Sequence, residues 1–453
     1  MTKRLTLVAV IASVAMVAGA CSRGGSASTA GSTSGKATST TAAASAPGDF
    51  GTLKAVCGPG SAKGATDQGV TDTSIDIGTM SDPGAAAAPG LNQELFDTAK
   101  AFTTWCNNAG GINGRKITLH LRDAKLFEVA ARTVEACGQD FVEVGNGTAF
   151  DDSGVDQRLK CKLPEIPAYE NSPKATESTL KVEPNSSPVE QEQVALYRGY
   201  QQKFPGSVKQ GFLVGNLAPI IVTKDRFREA SEKIGFNTVY DETYPITGID
   251  NPQSYVQRMK DKGIDVLTEV GDPTALVALE KAMQTVGWYP KAILQAANFY
   301  DQIVVKNGAD AITNTWVVDG YYPFELASQN PATQQYLDIM KTDAPGGKVA
   351  ALGLNAWDAW LLFATAARDC GSTLTRDCVL QKAGAHSDWT AGGLKAPGST
   401  DPVVRQMPQC YLALKATAQG FTVDASFLAP NQGVFNCDPA NVVKLTGNYA
   451  PKS

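Results

Sequence analysis

Between Thr73 and Val286, apolar runs of strand length alternate with helical stripes, first in one series and then in a second. SIDIGTM (74–80) reads as a strand with Ile75, Ile77 and Thr79 on one face. Leu95, Ala99, Phe102 and Cys106 follow at helical spacing, and Gly110-Gly111 stops that helix. ITLHLRD (117–123) alternates as a strand, and a helix carrying Ala130, Val134 and Cys137 comes after it. The second series opens with GFLVG (211–215), a buried-type strand. A helix over Phe227 to Ile234 ends at Gly235-Phe236-Asn237, as the first ended at Gly111-Ile112-Asn113. DVLTEVG (265–271) is the next strand, with Asp272 as N-cap, Pro273 at N1 and an inner stripe of Leu276, Leu279, Met283 and Val286. Parallel strands need a helical crossover between them, so two such series predict two α/β domains with largely parallel sheets.

The first 21 residues bear on where such a chain works. Lys3 and Arg4 precede an uncharged run from Leu5 to Ala20, and the small residues Ala18, Gly19 and Ala20 lead into Cys21. The run is short for a span of about 20 apolar residues and reads as an export signal. Small residues ending at a cysteine resemble a bacterial lipoprotein signal, in which Cys21 is lipidated and becomes the mature N-terminus; the alternative is plain secretory cleavage with Cys21 unmodified. Ser22 to about Ala46 is almost wholly Ser, Thr, Ala and Gly, which cannot bury a core. It is expected to act as a tether running on to about Gly69, with a reach of roughly 40 Å.

The chain carries 40 basic and 45 acidic residues, for a net charge of −5, and loss of Lys3 and Arg4 makes the mature protein more acidic still. With no basic run, no nucleic-acid partner is expected, because phosphate binding needs clustered Lys and Arg. Of nine cysteines, those after Cys21 are Cys57, Cys106, Cys137, Cys161, Cys370, Cys378, Cys410 and Cys437. Outside the membrane, an even set of this kind predicts disulfides. No C-x-x-C spacing occurs and the two histidines are His120 and His386, so no zinc site and no other cofactor is expected.

FTTWCNNAGGINGRKITLHLRDAK, some 25 residues after SIDIGTMSDPG, resembles the branched-chain amino-acid-binding (Leu/Ile/Val-binding-like) family of ABC-transporter substrate-binding proteins. LPEIPAYENSPKAT (163–176) is similar to that family's strand and ligand loop, and LNAWDAWLLFATAA (354–367) to its "Y-D-A" helix. The resemblance spans about Gly69 to Thr446. It implies an α/β, two-lobed type I periplasmic-binding-protein fold, with two doubly wound parallel sheets joined by a three-segment hinge. The expected limits are signal peptide 1–20, tether and start of an N-terminal extension 21–68, lobe 1 at 69–185 and 319–408, and lobe 2 at 186–318 and 409–453. Crossings are expected near Val182–Pro188, Val318–Tyr322 and Gln406–Tyr411.

The same resemblance implies ligand contacts. From lobe 1 these are Ser81 and Asp82 in the first loop, Thr148, Ala149 and Phe150 after a Gly-x-Gly turn, and Tyr169, Glu170 and Asn171. The family usually offers an aromatic residue where Pro89 stands. From lobe 2 the candidates are Ala218 and Pro219, Asp272, Asn298 and Tyr300, with Tyr321 at the second crossing. Amino-acid binders of the family place an acid near Asn298; here Asp301 or Asp272 would have to substitute, which weighs against a leucine-like zwitterion. Read from the residues alone, Gly145-Asn146-Gly147 is as good a turn as a site, and capping explains Asp272 fully.

The expected function is an extracytoplasmic, monomeric, lipid-anchored protein on the outer face of the cell membrane. It would capture an amino acid, amide or small organic acid and deliver it to an ABC permease. A sensing receptor subunit on the same fold is the alternative. An extracellular hydrolase is remote, because G-x-S-x-G and H-E-x-x-H are missing and His120 sits mid-strand. Right-handed crossovers in a doubly wound lobe put Cys137 and Cys161 on one sheet face, leaving Cys106 to Cys57. Cys370–Cys378 and Cys410–Cys437 are expected to pair locally.

Overall fold

The computed structural model describes residues 46–451. The signal, Cys21 and the Ser/Thr-rich stretch up to residue 45 lie outside the described residues.

Lobe 1 begins as β1 (Ser74–Ser81), α1 (Gln93–Ala109), β2 (Lys116–Asp123), α2 (Val129–Gln139), β3 (Val142–Val144), α3 (Val155–Lys160), β4 (Glu165–Ile166) and α4 (Pro173–Thr176). Its sheet is parallel in the order β2-β1-β3-β4. Lobe 2 runs β5 (Gln191–Gln193), α5 (Ala195–Lys203), β6 (Lys209–Gly215), α6 (Ala218–Lys233), β7 (Asn237–Tyr244), α7 (Pro252–Lys262), β8 (Val266–Val270), α8 (Pro273–Val286), β9 (Ala292–Gln295), α9 (Gln302–Gly308) and β10 (Thr315–Asp319). The chain then returns to lobe 1 for α10 (Pro331–Asp343), α11 (Ala351–Cys370) and α12 (Arg376–Ala383). It ends in lobe 2 with β11 (Cys410–Thr417), β12 (Gly420–Val423), β13 (Asn436–Cys437) and β14 (Val442–Lys444). The lobe 2 sheet is ordered β12-β11-β10-β9-β8-β6-β7, with β11 antiparallel to β10 and β12 and the rest parallel.

Both lobes have a helical layer on each sheet face. In lobe 1, α1, α10 and α11 enclose Phe102, Tyr336, Trp357 and Trp360. In lobe 2, Leu213, Leu267, Ile293 and Val317 pack under α7 to α9, while Val266, Leu294, Trp316 and Val318 pack with Tyr197 and Tyr200 of α5 on the other face.

Residues 46–69 do not continue the tether. Phe50 is fully buried against Trp105 and Trp357, at centroid distances of 6.3 and 5.3 Å, and the Gln335 side chain bonds the backbone of Asp49 and Gly51. One aromatic side chain and a cysteine outweigh the polar composition around them. Cys57 is joined to Cys106, Cys137 to Cys161, Cys370 to Cys378 and Cys410 to Cys437, the pairs argued from topology. On α2 the buried face is Val129, Thr133 and Ala136, and Val134 is exposed, one position away from the expected stripe. Thr133 can face inward because its hydroxyl bonds the Val129 carbonyl at 2.8 Å. The helix before Gly235 starts at Ala218, so Ala218 and Pro219 open a helix rather than lie in a loop.

The lobes are joined where the chain leaves α4, β10 and α12. Asp358 on α11 gathers this hinge: it accepts from the Tyr321 hydroxyl at 2.9 Å and the Trp389 indole at 2.5 Å, and pairs with Lys395 at 2.9 Å. Lys395 also donates to the Pro184 carbonyl and to Asn185, at 2.6 and 2.7 Å. Burial of three polar groups around one carboxylate is tolerable because each is partnered.

Candidate functional site

Ligands of open parallel sheets bind beyond the strand C-termini where the strand order reverses. In lobe 1 that point lies between β1 and β3, in lobe 2 between β6 and β8. The loops there are 82–92 and 145–151 in the first lobe, and 216–217 and 271–272 in the second.

In lobe 1 most of the expected residues are spent on holding these loops together. Asp82, fully buried, accepts from the N–H of Leu126 at 2.7 Å and of Ala149 at 2.8 Å, tying three loops; burial raises its carboxyl pKa against these two bonds. Ser81 donates to the Asn92 carbonyl at 3.1 Å. Asp151 accepts from the N–H of Asn171 at 2.6 Å and of Ser172 at 3.1 Å, and burial pushes its carboxyl up to about 7. The Asn171 amide donates to the Thr148 carbonyl at 3.1 Å. Tyr169 packs against Gly147, where a Cβ would stand 2.3 Å from its ring, and accepts from the Asn92 amide at 2.5 Å. Glu170 is buried in an ion pair with Lys181. The Phe150 ring meets Phe127 at 5.3 Å. The Thr148 hydroxyl and the N–H groups of Thr148 and Phe150 bond no described residue, and this loop is therefore the part of lobe 1 with donors to offer.

Behind the loop is a cavity of about 40 Å³ lined by Thr148, Tyr169 and Glu170 together with Glu143, Asn146, Arg158 and Glu165. Arg158 pairs with Glu165 at 2.9 Å, while among the described residues no cation forms an ion pair with Glu143. Burial first, and Glu165 second, push the Glu143 carboxyl up to about 8. Glu143 was missed in sequence; its sign was an acid inside the apolar run FVEVG. Among the described residues no group of His, Cys, Asp and Glu is arranged to hold a metal ion. His120 bonds Asp140 at 2.6 Å beside Arg122, a structural role.

In lobe 2, Asp272 caps α8, accepting from the N–H of Thr274 at 2.7 Å. Asn298 donates to the Gly271 carbonyl at 3.3 Å and so joins the two loops. Tyr300 is buried, with its hydroxyl donating to Glu325 and accepting from the Phe324 N–H. Tyr321 belongs to the hinge, where it also accepts from Asn185. Unforeseen in sequence, Tyr244 donates to Glu269 at 2.5 Å directly beneath Gly271.

The lobes meet on two sides. Ile246, beyond β7, packs against the lobe 1 cluster of Ala85, Leu126 and Ala149, which Leu91 and Phe150 also border. Lys348, before α11, pairs with Glu94 of α1 at 2.9 Å and with Asp301, the N-cap of α9, at 2.7 Å. The Ala351 N–H donates to the Tyr300 carbonyl at 3.1 Å. The lobes thus touch through Ile246 on one side and through Lys348 and Ala351 on the other.

A family profile described as periplasmic binding protein matches residues 221–420. The chain has the type I periplasmic-binding-protein fold. Among solved structures, a fatty acid ABC transporter substrate-binding protein from Thermomonospora curvata aligns at 15% identity over 83% of this chain and 95% of its own, with a TM-score of 0.70. The branched-chain amino acid transporter substrate-binding protein LivJ of Streptococcus pneumoniae, in complex with isoleucine, aligns at 16% identity over 78% and 100%, TM-score 0.63. An ABC-transporter solute-binding protein from Rhodopseudomonas palustris BisB5, in complex with 3,4-dihydroxybenzoic acid, aligns at 17% identity over 78% and 95%, TM-score 0.63. No curated protein matches the chain. Among the described residues no helix of this periplasmic-binding-protein fold is long and apolar enough to cross a membrane.

Proposed function

We propose that the protein is the solute-binding component of an ABC importer, held at the outer face of the cell membrane by a lipid on Cys21 and working as a monomer. It takes a small polar solute, an amino acid, amide or small organic acid, between its lobes and presents the closed form to a permease. The observation that carries this reading is the Thr148 loop. It sits at the lobe 1 switch point, keeps its hydroxyl and two backbone N–H groups free of described partners, and includes Ala149 of the cluster on which Ile246 of lobe 2 packs. Such donors suit a carboxylate or amide oxygen. The solutes named for proteins of the same fold, isoleucine, a dihydroxybenzoic acid and a fatty acid, all carry a carboxylate.

Closure then acts as a hinge equilibrium that the solute shifts through contacts made by both lobes. A thermal-shift screen of amino acids, amides and organic acids tests the reading, since a ligand at 100 times its Kd stabilises by about 2.7 kcal/mol. A panel without a single hit at millimolar concentration would count against it. For the anchor, Cys21→Ala should release the protein into the medium or leave it unprocessed; a cleaved, membrane-bound variant would refute lipidation.

A further inference from the structure

The charge pattern of lobe 1 leaves one buried acid over. Glu143 of β3 lies between Gly78 of β1 and Glu165 of β4 in the sheet, with an exposure of 2%. The cations around it are already paired: Arg122 of β2 with Asp140, Arg158 of α3 with Glu165, and Lys181 with Glu170 and Glu183. Gly78 leaves its side-chain space to the first of these pairs, since a Cβ there would lie 2.2 Å from Asp140 Oδ2 and 2.8 Å from Arg122 Nη1. Asp151, nearby, takes backbone N–H groups instead of a cation. Glu143 is therefore the acid of this group for which no described cation remains.

The hydrogen-bond inventory agrees. Glu143 Oε1, Asn146 Oδ1 and Glu170 Oε1 have no donor among the described residues, and all three residues line the chamber of about 40 Å³ behind the Thr148 loop. Asn146 gains nothing by turning its amide round, because its Nδ2 donates to Glu165 Oε2 at 3.1 Å. An ionised carboxylate only accepts, whereas a protonated one also donates. One proton on Glu143 gives this set of acceptors a donor and removes a buried charge without a counter-ion. A chamber of this size also admits a water to relay the bond. Burial, then Glu165 and Asp140, raise the carboxyl to about 8 against the pull of Arg122 and Arg158. Thr148 lines the same chamber, and its hydroxyl, its N–H and that of Phe150 are the donors that lobe 1 has to offer. A charge on Glu143 would stand behind these donors while a solute carboxylate arrives in front of them.

We infer that Glu143 is a positioning residue for anion capture: it stays protonated behind the Thr148 loop, and a carboxylate solute is bound together with that proton. By reciprocity the proton tightens the carboxylate as much as the carboxylate tightens the proton. Affinity is therefore full while the acid is protonated and falls as pH rises through its titration. This inference rests on the solute-binding reading above, and the experiment separates the two.

Mature protein is screened by thermal shift at pH 6.5 against amino acids, their amides, octanoate and 4-hydroxybenzoate. The expected hit carries a carboxylate. Its Kd is then measured by calorimetry from pH 6.5 to 9 on wild type and on Glu143→Gln, whose amide donates and never ionises. The ratio of wild-type to variant Kd, in which the solute's own titration cancels, should rise about fivefold by pH 9 for a coupling of about one pH unit. At pH 8.5, runs in two buffers of different ionisation enthalpy should show wild type taking up about half a proton more than the variant. Glu143→Met, also uncharged, replaces the first variant should that not fold, and if neither folds, absence of proton uptake by wild type is the contrary result. A constant ratio, equal uptake, or a hit without a carboxylate overturns the inference and leaves the solute-binding reading standing. No hit of any class overturns both.

Discussion

Replacing Lys348 with Met should open the molecule. Its ammonium lies between Glu94 and Asp301, 2.9 and 2.7 Å away, with the Lys side chain 30% exposed and the two acids nearly enclosed. Burial, the larger effect, holds the Glu94 carboxyl above its ordinary value, and Lys348 opposes it. Fully exposed pairs contribute about 0–1 kcal/mol, whereas removing one partner of a buried pair costs about 3–5 kcal/mol. Only the Asp301 pair crosses between the lobes, and with the lysine partly exposed and that acid buried it falls between these limits, at about 2 kcal/mol, which corresponds to roughly a thirtyfold change in the closed-to-open ratio. Methionine keeps the stem's packing, and the Lys348 backbone bond to Asp97 at 3.0 Å is untouched, so the change is confined to the charge. Apparent solute affinity should fall by up to the same factor, because the competent closed state is depleted. Small-angle scattering without ligand should show a larger radius of gyration, and calorimetry a weaker Kd. Unchanged scattering together with a Kd within twofold of wild type would refute the idea that this pair links the lobes.

Three further outcomes follow from the interior. Glu143 has a folded-state pKa of about 8 against an ordinary 4.5, so the folded state binds more protons between those values and its stability falls as pH rises through them; Glu143→Gln should gain about 1–3 kcal/mol at pH 9 relative to wild type and little at pH 4, and an equal effect in melts at both pH values would show that the side chain does not titrate this way. Lys395→Met strands Asp358 in the hinge and should lower stability by about 3–5 kcal/mol in urea unfolding; a loss below about 1 kcal/mol would mean that this pair does not hold the hinge together. Joint Cys57→Ser and Cys106→Ser substitution frees residues 46–58 and should cost about 2–4 kcal/mol, with unchanged melting temperature the contrary result and non-reducing peptide mapping the check on pairing.

Much of the fold was legible because parallel-sheet strands and amphipathic helices carry different periods. SIDIGTM and DVLTEVG became β1 and β8, and Asp272-Pro273 opens α8 as its cap. The misplaced face of α2 has a local cause: a threonine that bonds its own helix passes as an inward residue. Residues 46–69 misled because composition averages over the chain, whereas Phe50 and Cys57 each make a specific attachment. The site was harder to read. Sequence pointed to loops at the strand ends but could not show which polar atoms are already taken, and Asp82, Asp151, Glu170, Asn171 and Asp272 serve mainly to hold loops and helix ends. Glu143 and Glu269 carried the opposite signal, a charged residue inside a buried strand with no complementary charge nearby in sequence. Such residues gain meaning only once the register shows which face they share.

Capture of a solute between the lobes is tested most directly by calorimetry of one thermal-shift hit against wild type, Thr148→Ala and Asn298→Ala, which probe opposite lobes. One site per chain is expected, with each substitution weakening binding roughly ten- to hundredfold through loss of a buried hydrogen bond. Unchanged affinity in both variants would mean that the solute does not bridge the two lobes at these loops.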